Sequence, residues 1–153
     1  MSVTTAIVKD FMTPDPVTIQ PTETVEAAVK LMETRQISGL PVVDDTGTLV
    51  GILSEGDLLV REAPFQAPLY MTLLGSIIYF ESPAQFHQHM KKSLGMLVQD
   101  IMTPHPVTIA PDVSLPQAAQ LMLDKKVNRL PVVEGDRLVG IVTRHDLVSA
   151  LKP

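Results

Sequence analysis

The sequence predicts an α+β protein built from two β-α-β-β-α repeats packed with pseudo-twofold symmetry, with a helical insert between them. Three observations predict this. Val8 to Pro21 aligns without a gap on Val98 to Pro111, sharing Met-Thr-Pro and Pro-Val-Thr-Ile. Leu40-Pro41-Val42-Val43 then falls on Leu130-Pro131-Val132-Val133, and Gly51-Ile52 on Gly140-Ile141. In both copies a stretch with apolar residues at helical spacing is followed by two short apolar runs. Register kept over a whole unit marks an internal duplication, and two copies are too few for a solenoid.

The elements follow in order. Met12-Thr13-Pro14 and Met102-Thr103-Pro104 read as the end of a lead-in turn, because proline disfavours helix in the residue before it. Val17-Thr18-Ile19 and Val107-Thr108-Ile109 read as short strands closed by Pro21 and Pro111. A helix follows, with Thr24 or Ser114 as N-cap, and Pro116 is tolerated in its first turn. Its apolar face is Val25, Ala28, Val29 and Met32, matched by Leu115, Ala118, Ala119 and Met122. Two strands come next, Leu40–Val43 then Leu49–Leu53, and Leu130–Val133 then Leu138–Val142, each pair joined by a polar turn. The second helix begins at Ser54 or Thr143. The organisation is thus repeat 1 at 8–60, an insert at 61–97 and repeat 2 at 98–153, both repeats forming one module.

The insert opens on a loop punctuated by Pro64 and Pro68. Ser82-Pro83-Ala84-Gln85 has the form of a helix start, and Gly95 of a stop. Leu73, Leu74, Ile77, Ile78 and Tyr79 make this segment strongly apolar, and either subunit contact or packing onto its own module accounts for them.

Composition narrows the function classes. A chain of 153 residues, 45% apolar and 19% charged, has the balance of a folded domain with its own core. A formal charge of −5 argues against a nucleic-acid surface. Without cysteine there is no disulfide, thiolate metal site or cysteine nucleophile. The apolar run Leu69–Phe80 is too short to span a bilayer, and the first ten residues have no apolar core of signal-peptide length. These features point to a cytoplasmic protein with no membrane partner.

The chemistry centres on Leu138-Val-Gly-Ile-Val-Thr-Arg-His-Asp-Leu147, which reads as a buried strand turning into a helix at Thr143. Thr143 and Asp146 have capping-box spacing. A helix N-terminus presents unpaired N–H groups that favour phosphate. Arg144 and His145 add donors there, and Asp146 can accept hydrogen bonds from a ribose diol. The alternative is a capped helix with solvated charges. Leu49 to Leu58 repeats the design, with Ser54 and Asp57 at the matching positions.

Met-Thr-Pro, Leu-Pro-Val-Val and the two segments Gly51-Ile-Leu-Ser-Glu-Gly-Asp57 and Gly140-Ile-Val-Thr-Arg-His-Asp146 together resemble the cystathionine-β-synthase (CBS) domain family. The chain looks like a tandem pair of such domains, a Bateman module. The resemblance implies two clefts that take an adenine nucleotide, AMP, ADP or ATP, with a dinucleotide or S-adenosylmethionine also open. It implies Asp146 and Asp57 at the ribose, Thr143 and Ser54 near phosphate, and Ile141 and Ile52 beside the base. The Asp146 pocket would be walled by Val17, Ile37, Ser38 and Gly39, and the Asp57 pocket by Val107, Val127, Asn128 and Arg129. Arg144 and His145 follow Thr143, whereas Glu55 and Gly56 follow Ser54, so the Asp146 pocket is expected to hold phosphate more tightly.

The resemblance further implies a regulatory module and a homodimer, and a module of this kind requires either an unidentified protein partner or a second conformational state. The alternative is an interaction scaffold with weak or vestigial clefts, in keeping with the thioredoxin-type redox partners associated with plant relatives. An enzyme is not expected. No nucleophile–base arrangement, phosphate loop or dinucleotide fingerprint is legible. His87 and His89, two apart, would face different ways on a helix, so no metal is expected. His105 reads as a turn residue, and Asp10 and Asp100 as caps.

Overall fold

The computed structural model describes residues 5–60 and 96–152. The expectations for residues 61–95 lie outside the described residues: the helices, the Ser82 start, the Gly95 stop, the apolar contact of Leu73 to Tyr79, and the placement of His87 and His89. Chain order is α1 (Val8–Phe11), β1 (Thr13–Pro14), α2 (Val25–Arg35), β2 (Gly39–Val43), β3 (Leu49–Ser54), α3 (Glu55–Val60), α4 (Val98–Ile101), β4 (Thr103–Pro104), α5 (Leu115–Lys125), β5 (Arg129–Glu134), β6 (Arg137–Thr143) and α6 (Arg144–Ser149).

The helices start and stop for local reasons. Thr24 Oγ1 accepts from Ala27 N at 3.1 Å, and Ser114 Oγ from Gln117 N at 3.3 Å, so both expected N-caps operate. At the other end Gln36 and Lys126 enter the left-handed region, with φ of 53° and 56°. The next amide, Ile37 N or Val127 N, reaches back to Met32 O or Met122 O, at 3.0 Å in both copies, which satisfies a carbonyl the helix would leave open. Asp10 and Asp100 act as caps, accepting from Ile7 N at 3.1 Å and Leu97 N at 3.2 Å. His105 sits in a turn with φ 50°, mirroring Asp15 at 46°.

The strands differ from expectation in two places. Val17–Ile19 and Val107–Ile109 are not strands; only Ile19 and Ile109 form parallel bridges, to Val42 and Val132. Pro16 and Pro21, and Pro106 and Pro111, bracket the segments and have no N–H of their own, so neither run can extend into a longer ladder. The second difference is the lead-in, which is a one-turn helix and a two-residue strand rather than a turn.

These two-residue strands set the architecture. One three-stranded sheet has the order β1-β6-β5, the other β2-β3-β4. β1 runs antiparallel to β6, with Thr13 opposite Ile141 and Pro14 opposite Gly140. β4 runs antiparallel to β3, with Thr103 opposite Ile52 and Pro104 opposite Gly51. Each sheet therefore takes its edge strand from the lead-in of the other sequence repeat. The described residues accordingly divide into two compact units, one of 5–17, 46–49 and 106–152, the other of 18–45, 50–60 and 96–105.

Each unit has its own core. In the first, Ala6, Val8, Ile109, Leu115, Ala118, Met122, Leu130, Val132 and Val142 are buried together. In the second, Ile19, Val25, Ala28, Met32, Leu40, Val42, Leu53, Leu58, Val98 and Ile101 are buried. Val8 and Val98, from the lead-in helices, are fully buried, which explains why segments this short stay docked.

Gly51 and Gly140 are needed where the edge strands arrive. A Cβ on Gly140 would meet the Met12 sulphur and come within 3.0 Å of Thr13 O; on Gly51 it would meet the Met102 sulphur and come within 3.0 Å of Thr103 O. Gly140→Ala should therefore destabilise the protein by about 1–3 kcal/mol. Gly56→Ala, whose nearest atom is Ser54 Oγ at 3.7 Å, should be neutral or slightly stabilising. Thermal melts of the two variants test the contrast, and equal melting points would contradict it.

Candidate functional site

The site in the first unit starts from the end of β6. Val142 is buried in the core and Ile141 is half-buried on the other face of the strand, as alternation requires. Thr143 then leaves the strand and caps α6. Thr143 Oγ1 accepts from Asp146 N at 3.2 Å, and Thr143 N donates to Asp146 Oδ2 at 2.8 Å. This reciprocal pair fixes the carboxylate. Among the described residues, Asp146 Oδ1 accepts no hydrogen bond. Arg144 N donates to Asn128 O at 2.8 Å, tying the start of α6 to the residue that leads into β5. The side chains of Arg144, His145 and Asn128 are exposed.

The second unit repeats the design with a different hydrogen-bond pattern. Ser54 N donates to Asp57 Oδ2 at 2.9 Å, and Ser54 Oγ donates to the same oxygen at 3.2 Å. Thr103 Oγ1, on the edge strand, donates to Asp57 Oδ1 at 3.1 Å. Glu55 N donates to Ser38 O at 3.2 Å, the counterpart of the Arg144–Asn128 bond. Asp57, Ser54 and Ile52 are half-buried.

The expected site residues are distributed as follows. Asp146, Thr143, Arg144, His145, Ile141 and Val17 lie in the first unit, together with Val107, Val127, Asn128 and Arg129. Asp57, Ser54, Ile52, Ile37, Ser38 and Gly39 lie in the second. Within the first unit, Val107 and Val127 are partly buried and packed against the core, and Arg129 pairs with Thr143 across β5 and β6. Arg144 also lines an apolar groove of about 330 Å³ between α5 and α6, with Leu115, Met122, Leu147 and Val148. Among the described residues, no group of three or more His, Cys, Asp or Glu is placed to hold a metal, and no helix is long and apolar enough to cross a membrane.

Thr103 is the residue that sequence reasoning missed. It lies 46 positions from Asp57, and Met-Thr-Pro reads locally as a turn. A usable signal was present in Gly51 and Gly140, since glycine inside an apolar strand marks a close approach by another backbone.

The model of the CBS domain family matches residues 8–63 and 98–153. The chain belongs to the CBS domain family. As a CBS pair it is 36% identical over 148 residues to the chloroplastic CBS domain-containing protein CBSX2 of Arabidopsis thaliana, a match covering 94% of this chain. The chain spans only 62% of that relative's length. It is 33% identical over 153 residues to the uncharacterized protein MJ1426 of Methanocaldococcus jannaschii, covering 95% of this chain and 90% of the relative. Solved CBS pairs share the fold. CBSX2 in complex with AMP superposes with a TM-score of 0.70 at 34% identity, covering 94% of each chain. The CBS domain pair of MJ0100 in complex with 5′-methylthioadenosine and S-adenosyl-L-methionine superposes with a TM-score of 0.69 at 26% identity, again covering 94% of each chain.

The two carboxylates differ in structural weight. Asp146→Ala leaves Thr143 N without its partner and should cost about 1 kcal/mol. Asp57→Ala removes the acceptor of three bonds and should cost more, near 2 kcal/mol. At roughly 2–4 °C per kcal/mol for a chain of this size, the order is measurable by thermal denaturation. A larger loss for Asp146→Ala would contradict the assigned hydrogen bonds.

Proposed function

We propose that this CBS pair is a cytoplasmic regulatory module rather than an enzyme. It binds an adenine nucleotide of the AMP, ADP or ATP class in clefts to which both repeats contribute. The observation that carries this is the Asp146 carboxylate, held by Thr143 N on one oxygen while the other accepts nothing among the described residues. An oriented carboxylate with an open oxygen is an acceptor for the two hydroxyls of a ribose. Each such charge-assisted bond contributes about 1.5–3 kcal/mol. The relatives solved with AMP and with S-adenosyl-L-methionine support an adenosine-containing ligand.

In this reading Asp146 takes the ribose, Thr143 lies near phosphate and Ile141 lies beside the base. Val17, Ile37, Ser38 and Gly39 complete the wall. Asp57, Ser54 and Ile52 play the same parts in the second cleft, completed by Val107, Val127, Asn128 and Arg129. The Asp146 cleft is the tighter of the two.

The module acts as a homodimer. The groove between α5 and α6 supports this, because Leu123, Val148 and Leu151 stand 67%, 55% and 67% exposed at or beside it. Regulation requires a ligand that binds one conformation of the module, or of the module with its protein partner, better than another.

Thermal melts of the full chain with AMP, ADP, ATP and S-adenosyl-L-methionine test the proposal. A ligand at a hundred times its Kd stabilises the fold by about 2.7 kcal/mol, a rise of several degrees. The expected result is an adenosine-selective rise that Asp146→Ala removes after correction for its lower starting Tm. A flat series at millimolar ligand overturns the reading and favours the interaction scaffold.

A further inference from the structure

Counting acceptor positions separates the two clefts. An ionised carboxylate offers about four lone-pair positions. Asp57 uses three: Ser54 N and Ser54 Oγ on Oδ2, and Thr103 Oγ1 on Oδ1. Among the described residues, Asp146 uses one, for Thr143 N on Oδ2. A ribose diol brings two donors. Asp146 can take both without losing a bond, whereas Asp57 must release one. The backbone bond from Ser54 N belongs to the cap, so the side-chain hydroxyls are the ones that can yield. Of these, Thr103 stands on the exposed edge strand β4 and alone among the described residues holds Oδ1.

The equivalent threonine does not do the same. Thr13 lies opposite Ile141 as Thr103 lies opposite Ile52, yet it makes no hydrogen bond to Asp146. We propose that Thr103 is an internal competitor for the Asp57 carboxylate. It sets the affinity of the Asp57 cleft by occupying the oxygen that a ribose hydroxyl would use. This rests on the nucleotide-binding reading above.

The test is calorimetric titration of AMP into the full chain and into Thr103→Val, Thr103→Ser and Thr13→Val. Valine keeps the β-branched shape on an exposed strand and removes only the donor. A hydrogen bond to a charged group corresponds to roughly tenfold in affinity. The weaker AMP phase should therefore tighten about tenfold in Thr103→Val and return to the wild-type value in Thr103→Ser. Thr13→Val should leave both phases within about twofold, since its hydroxyl touches neither carboxylate. A weak phase that is unchanged or weakened in Thr103→Val overturns the competitor role while leaving nucleotide binding intact. Absence of AMP heat from both the wild type and Thr103→Val overturns the binding reading and the competitor role together.

Discussion

The close approach of the two Met-Thr-Pro segments to glycines in the central strands is the constraint on which the rest of the structure depends. β1 can lie along β6 because residue 140 has no side chain, and β4 along β3 because residue 51 has none. A Cβ at either position would meet both a methionine sulphur and a backbone carbonyl. The lead-in helices are only one turn long and would not persist alone. They are held because Val8 and Val98 are buried and because the strand that follows each is paired. Each unit is consequently assembled from both halves of the chain, and neither sequence repeat contains all of its own sheet.

The same constraint positions the chemistry. The register that places Thr103 opposite Ile52 brings its hydroxyl to Asp57, in the first turn of the helix that follows. The duplicated sequence thus yields two unlike acceptors from nearly the same residues. Ser54 directs its hydroxyl at the carboxylate, whereas Thr143 uses its oxygen to accept the Asp146 amide. A pair of sites that differ in how many acceptor positions remain open is suited to respond over a wider range of ligand concentration than two equal sites.

Much of this was legible in the residues. The duplication, the helices at 25–35 and 115–125, their Thr24 and Ser114 caps, and the Thr143–Asp146 box follow from spacing and side-chain chemistry that act within one turn. The edge strands were not legible. A paired segment of two residues has no periodicity, and its partner lies in the opposite half of the sequence. The Thr103–Asp57 bond was hidden for the same reason, being a long-range contact without a local signature. The expectation of strands at 17–19 and 107–109 overvalued β-branched residues and undervalued the prolines that close each segment on both sides; one residue of each forms a bridge.

The most direct test is calorimetric comparison of AMP with 2′-deoxy-AMP on the full chain. If the Asp146 carboxylate reads the ribose diol, the tight phase should weaken at least tenfold for the deoxy ligand, the equivalent of one charge-assisted hydrogen bond. Equal affinities for the two ligands would show that the carboxylate does not face the sugar, and would contradict the assignment of this cleft.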